Sequence, residues 1–221
     1  MDQQITRKSY IEDLAKIQEK IVEMGIAAET AAKNAVHALL TFDKKLAAEV
    51  MHNDDVIDKL LIDIEDSCIL LIAKQQPIAH DLRIVATSFK ISTDLERIGD
   101  HAFDIAKITC NLKRSFDFDK TYIKKLSDCA ISMINMSIMA YKNADISLAE
   151  KVCQEDDNAD SLFAKTLNQI SSINNTEALP ELVFISRYLE RVGDHATNIA
   201  EWVIYLETAE RIRKTKKIFD K

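Results

Sequence analysis

Glycine and proline are nearly missing from this chain, with 3 and 2 residues among 221. Strand-rich folds need turn residues every few positions, so the shortage excludes sheets and barrels and predicts long helices with few breaks. Cysteine is equally thin. Cys68, Cys110, Cys129 and Cys153 form no CxxC and no zinc-like spacing, which predicts free thiols in a reducing compartment rather than a disulfide framework. No apolar run approaches the roughly 18 residues of a membrane span. The opening MDQQITRKSYIEDL lacks the apolar core of a signal peptide, so the expected location is cytoplasmic. An excess of positive charge is also absent. The net charge of -7 argues against nucleic acid or an anionic membrane as a general partner. The run Arg211-Ile212-Arg213-Lys214-Thr215-Lys216-Lys217 is a local exception, read here as a solvated helix end whose cations suit the helix dipole, with a membrane or partner contact as the alternative.

What the chain does have is a repeat. Residues 95–106 read LERIGDHAFDIA and residues 189–200 read LERVGDHATNIA. Helical composition alone does not produce such agreement, and an internal duplication does. The likeness extends upstream, where LAAEVMHNDDVIDKL at 46–60 aligns with LAEKVCQEDDNADSL at 148–162 and keeps DDxxD in both.

Apolar residues at three and four spacing predict a helix from about Tyr10 to Leu40, with Gly25 inside it as a point of close packing. A turn at 41–43 follows, where Thr41 or Asp43 is the N-cap. Helices are then expected at about Lys44–Lys74 and Ile78–Leu112, broken by Gln75-Gln76-Pro77 because proline suits the start of the next helix. Residues 111–120 read as a linker. The second half predicts helices at about Lys120–Asn143 and Ile146–Ser172, a turn at 172–175, and a last helix opened by Pro180. Met133, Met136 and Met139 are expected as core filler. The fold class is therefore all-α, with six long helices in two tandem three-helix bundles, residues 1–114 and 115–221.

Each half carries acids at a spacing of four: Asp54 with Asp58 and Glu96 with Asp100 in the first, Asp156 with Asp160 and Glu190 with Asp194 in the second. Residues i and i+4 share one helix face, where like charges cost a few tenths of a kcal/mol. If the middle and last helices of a half lie side by side, four carboxylates meet in one patch. Unpaired anions packed so tightly either take up a cation or protonate in part. Oxygen-only ligands suit hard or intermediate cations such as Mg²⁺, Ca²⁺, Mn²⁺ or iron, rather than zinc with thiolates. Asp55, Asp104 and Asp157 are possible further ligands. Arg97 and Arg191 follow each Glu and offer the competing explanation, neutralising the patch without a metal. His101 and His195 sit one residue beyond each Asp, about 100° round the helix, and are expected to pack rather than ligate. Di-iron carboxylate bundles need Glu-x-x-His, which neither Glu96 nor Glu190 begins. No P-loop, nucleophile-and-base pair or Gly-rich cradle is present, so no catalytic residue is assigned.

On the stretches MGIAAETAAKNAVHAL, DKKLAAEVMHNDDVIDKL, AKQQPIAHDLRIVATSFKISTDLERIGDHAFDIAK and RYLERVGDHATNIAE, the chain resembles the PhoU family of phosphate-transport accessory and regulatory proteins over essentially its whole length. The resemblance implies two three-helix PhoU domains. It also implies multinuclear metal clusters at Asp54, Asp58, Glu96, Asp100, Asp156, Asp160, Glu190 and Asp194. It implies a non-enzymatic negative regulator of the phosphate-starvation response that couples the ATPase subunit of an ABC phosphate transporter to a sensor histidine kinase. A homodimer that meets the membrane only through partners is expected. Asp104 stands where the second half has Asn198, so unequal metal sites are expected. A metal-dependent carboxylate-bundle enzyme and a metal-free helical adaptor are the other readings.

Overall fold

Few residues interrupt helix formation, and the interruptions fall where the punctuation lies. In the computed structural model, residues 2–115, 119–172 and 179–211 are described. The six helices are α1 Asp2–Thr41, α2 Lys44–Gln75, α3 Ala79–Asn111, α4 Thr121–Asn143, α5 Ile146–Ser171 and α6 Leu179–Thr208, with no strand among the described residues. Helix α1 begins eight residues before the apolar periodicity does. Part of the turn at 172–175, part of the 111–120 linker and the basic run beyond Arg211 lie outside the described residues.

Asp43 rather than Thr41 caps α2, its carboxylate accepting from the Lys45 and Leu46 amides at 3.0 Å. Asp145 repeats the device for α5 and accepts from the Leu148 amide. With glycine so scarce, helices end on other residues in the left-handed region: Gln76 at φ 47° and Ala144 at φ 51°. A side chain there costs energy that glycine would not.

The apolar stripes close two three-helix cores. Ile17, Ile21 and Met24 of α1 meet Ile57, Ile64 and Cys68 of α2 and Ile91, Leu95 and Ile98 of α3, all buried. Leu126, Met133 and Ile134 of α4 have the same place in the second half, with Val152 and Ala159 of α5 and Ile185, Leu189 and Val192 of α6. Only Met133 of the three clustered methionines is core filler. Met136 is half-buried and Met139 is exposed, because Met139 falls on the outer face of α4. Burial pushes the Cys68 thiol up to about 12, so it behaves as a small apolar side chain.

The two bundles are joined along α1 with α4 and along α3 with α6. At the first seam Gly25 earns its expected role, since a Cβ there would collide with the buried Ile138 side chain. Glu29, one turn on, is buried and accepts at both oxygens from the Asn135 amide at 3.2 Å, with Lys33 as its ion-pair partner. The second seam brings the two repeated phrases together.

Two carboxylate faces and the crossing of the repeats

Helices α3 and α6 run antiparallel, so each repeated phrase meets the other near its middle. Asp94, just before the first phrase, accepts from His195 Nδ1 at 2.8 Å and from the Asn198 amide at 3.1 Å. A carboxylate only accepts, so Nδ1 of His195 carries the proton. Tyr188 stands in the second copy where Asp94 stands in the first. It faces the matching pair, stacking on His101 at 5.4 Å and lying beside Asp104. Burial foremost, then the charge of and hydrogen bond to Asp104, raise its hydroxyl above the ordinary range. His101 and His195 lie 5.6 Å apart, centroid to centroid. Burial, and next the neighbouring His195, push His101 down to about 4. The imidazole is therefore neutral, packed between the bundles with Nδ1 buried and unpartnered. Both histidines pack, as their place one residue beyond the acids predicts.

The acids lie on the opposite side of each phrase, where α3 meets α2 and α6 meets α5. In the first half Gly99 lets α2 come close: a Cβ at that position would sit 2.9 Å from Ile57 Cδ1 and 3.4 Å from Asp54 Oδ1. Asp54 therefore leans over the α3 backbone. Burial pushes its carboxyl up to about 6, followed by repulsion from Asp58, Asp100, Asp55 and Asp104. Glu96 is raised as well, by burial first and then by Asp100, while Arg97 works against the shift. Asp54, Asp58, Glu96 and Asp100 thus lie near enough to repel one another, and Asp55 and Asp104 also act on Asp54. Arg97 ties two of them, reaching Glu96 at 3.4 Å and Asp100 at 3.0 Å.

The second face repeats the acids with different company. Burial raises Glu190, followed by repulsion from Asp194, with Asp160 also contributing. Asp156 accepts from the Thr197 hydroxyl at 2.9 Å. Arg191 approaches Asp194 at only 3.9 Å. The close partner of Glu190 is Arg187, at 2.6 Å. Arg187 was not singled out from the sequence because its counterpart is Thr93, and a comparison of repeats hides whatever the repeats do not share. A residue three positions before an acid on one helix is the cue that finds it.

Exposure divides the acids. The Glu96 and Glu190 side chains are 19% and 11% exposed, so each glutamate forms the floor of its face and is not a freely solvated group. Glu190 Oε2 is buried with no protein partner. That orphan oxygen, the all-oxygen donor set and the raised acids of both faces fit a hard cation. Among the described residues, no three such side chains converge closely enough to hold one as they stand.

Three comparisons place the chain among known proteins. The sequence model of the PhoU domain matches twice, at residues 21–109 and 123–203. A phosphate-specific transport system accessory protein PhoU homolog of Clostridium acetobutylicum is 38% identical over 216 residues, covering 94% of this chain and 98% of that protein. A PhoU homolog of Methanothermobacter thermautotrophicus is 32% identical over 92% of this chain and 95% of its own length. The crystal structure of PhoU from Pseudomonas aeruginosa superposes with a TM-score of 0.86 at 30% identity, over 91% of this chain and 100% of that one. The phosphate transport system regulatory protein PhoU from Streptococcus pneumoniae gives the same TM-score at 26% identity, over 92% and 99%. Six helices in two bundles, one domain match in each and likeness along the whole length converge: the chain belongs to the PhoU family.

Proposed function

We infer that this protein is a non-enzymatic accessory regulator of phosphate uptake. It restrains the phosphate-starvation response when phosphate is plentiful, coupling the ATPase subunit of an ABC phosphate transporter to a sensor histidine kinase. It works in the cytoplasm as a homodimer. The observation that carries the reading is end-to-end likeness to proteins named as accessory to phosphate-specific transport. The test is disruption of the gene in its own organism. Phosphate uptake and starvation genes are expected to stay on in phosphate-rich medium, and unchanged repression would contradict the reading. Capture of the transporter ATPase and the kinase on the purified protein tests the coupling separately.

Within this reading the two acidic faces are cation sites. Asp54, Asp58, Glu96 and Asp100 would hold one group of ions, and Asp156, Asp160, Glu190 and Asp194 the other. A bound Mn²⁺, Mg²⁺ or iron ion would supply positive charge that offsets the burial and repulsion acting on Asp54, Glu96 and Glu190 and would tie the middle helix of each half to the last. The residues then act by position: Gly99 lets Asp54 approach α3, and Glu96 and Glu190 set the floor. A metal-free adaptor is the second reading, and the ion pairs of Arg97 and Arg187 favour it. In that case the acids are neutralised from within and present an arginine-studded face to partners.

A further inference from the structure

Helices α4 and α5 leave a cavity of about 490 Å³ between them on the outside of the second bundle. Clefts of this size, with an apolar lining and a few polar groups, take small organic ligands. The apolar part is Cys129 and Met136 of α4 with Leu162 of α5. Burial, then the charge of Glu155, raise the Cys129 thiol above its ordinary range, so it stays protonated and belongs with the apolar side chains. The polar part carries both signs: Lys125 and Asp128 on α4, and Glu155 on α5. Asn158 donates to Glu155 at 3.0 Å and so holds that carboxylate in place. On α5, Glu155, Asn158 and Leu162 lie three and four apart on the side that lines the cavity. Asp156 instead meets Thr197 of α6, so the cavity is separate from the acidic face of this half.

The charges around the cavity do not neutralise one another. Lys125 and Asp128 are three residues apart, the spacing that pairs Asp13 with Lys16 and Arg97 with Asp100. Lys125 Nζ lies instead over the Tyr122 ring, 5.6 Å from its centroid. Among the described residues, neither Asp128 nor Glu155 has a cation at ion-pair distance. An ammonium and two carboxylates thus stand unpaired around one apolar cleft.

The duplication shows that the fold does not require this arrangement. Counted back from the matching caps Asp43 and Asp145, Glu23 and Ile26 of α1 correspond to Lys125 and Asp128. Asn53 and Val56 of α2 correspond to Glu155 and Asn158. Ile26 and Val56 are 56% and 49% exposed, so the first half keeps aliphatic side chains where the second has a carboxylate and an amide.

We propose that the α4–α5 cavity binds a small zwitterion with an apolar body, an amino acid or a short peptide. Asp128 and Glu155 hold its ammonium group, Lys125 its carboxylate, and Met136 and Leu162 its side chain. Such a ligand bridges α4 to α5 and gives the second bundle an effector site that the first lacks.

The test is calorimetric titration of the full chain in metal-free buffer. The probes are L-leucine and leucyl-leucine, which carry both end charges, with N-acetyl-leucine and leucinamide, which each lack one. Saturable binding of at least one zwitterion is the expected result, and which one binds separates the amino acid from the peptide. The blocked probes should bind about tenfold more weakly or worse, the scale of a lost hydrogen bond between charged groups. Asp128→Asn and Lys125→Gln should weaken the zwitterion similarly, while Glu23→Gln at the corresponding site of the first bundle should leave it unchanged. A saturating zwitterion should also slow alkylation of Cys129 by iodoacetamide, read by mass spectrometry, and spare that of Cys110. The substituted residues are exposed, so circular dichroism should match the parent. Should a variant misfold, the blocked probes on the parent protein still decide. The proposal is overturned if neither zwitterion binds up to about 10 mM. Blocked probes that bind as well as the zwitterions overturn it too, as does binding that leaves Cys129 unprotected.

Discussion

The two acidic faces descend from one sequence and no longer sit in the same surroundings. Both keep their four acids, but the residues that relieve the crowding have diverged. At the second face Arg187 pairs with Glu190 and Thr197 donates to Asp156. The matching residues of the first half are Thr93 and Phe103, which can do neither. The consequence is visible at Asp54, pushed up to about 6 by burial and its acidic neighbours. Each face thus keeps its acids and one arginine of the repeat, Arg97 at 3.0 Å from Asp100 and Arg191 at 3.9 Å from Asp194. Arg187 adds a partner for Glu190 at the second face alone; if the faces take up cations, this difference predicts unequal affinity. The interface between the bundles diverged in a coordinated way. Asp94 faces His195 and Asn198, while Tyr188 faces His101 and Asp104. A carboxylate opposite Asp94 would have met it as a like charge, and Asn198 avoids that. Asp104 thus has a role at the crossing, where it accepts from the Tyr188 hydroxyl, besides its repulsion of Asp54.

The largest expected break in this comparison comes at the crossing. Asp94→Ala leaves His195 Nδ1 and the Asn198 amide without their acceptor and should cost about 2–3 kcal/mol in urea unfolding. Its counterpart Tyr188→Phe removes only a hydroxyl and should cost under about 1 kcal/mol. Equal losses would mean that the two crossings are equivalent after all.

The glycines of the repeated phrase should respond with opposite signs. A Cβ at Gly99 would press Ile57 at 2.9 Å, whereas one at Gly193 would find Ala159 and Met133 at an ordinary 3.7 Å. Gly99→Ala is expected to lower stability by about 1 kcal/mol, because a buried neighbour must move. Gly193→Ala is expected to raise it by up to about 1 kcal/mol through helix propensity. Thermal melts of the two variants side by side decide the matter, and a shared sign would refute the packing difference.

A smaller effect should follow from exchanging the neutralising residues. Arg187→Thr should tighten Mn²⁺ binding at the second face and Thr93→Arg should weaken it at the first, each by about threefold, the range of one exposed ion pair. Calorimetric titration of both variants reads the change. If neither moves, the arginines do not compete with cations.

Much of this was legible in the chain. Six helices follow from apolar spacing between a few strong breaks, and Asp43 and Pro77 marked theirs because capping and proline geometry act locally. The start of α1 was not, since MDQQITRKSY has no apolar stripe and its helix is continued from the packed segment behind it. The faces were legible because DDxxD and ERxGD recur. What recurrence cannot show is any contact made by unlike residues: Asp94 with His195, Tyr188 with Asp104, Arg187 with Glu190. Those depend on how two helices cross. Met139 illustrates the limit at a single residue, sharing its type and spacing with the buried Met133 and yet lying on the outer face.

The central claim is that the duplicated carboxylates exist to hold cations, and metal binding tests it most directly. Stripped wild-type protein would be titrated with Mn²⁺, Mg²⁺ and Fe²⁺ beside Glu96→Ala, Glu190→Ala and the double variant, with bound metal counted by elemental analysis. The account predicts saturable binding at two faces, the first tighter. Each single variant should lose its own face, and the double variant should bind nothing while remaining helical. Wild-type protein that ignores all three ions would contradict the claim and leave the acids as an arginine-neutralised partner surface.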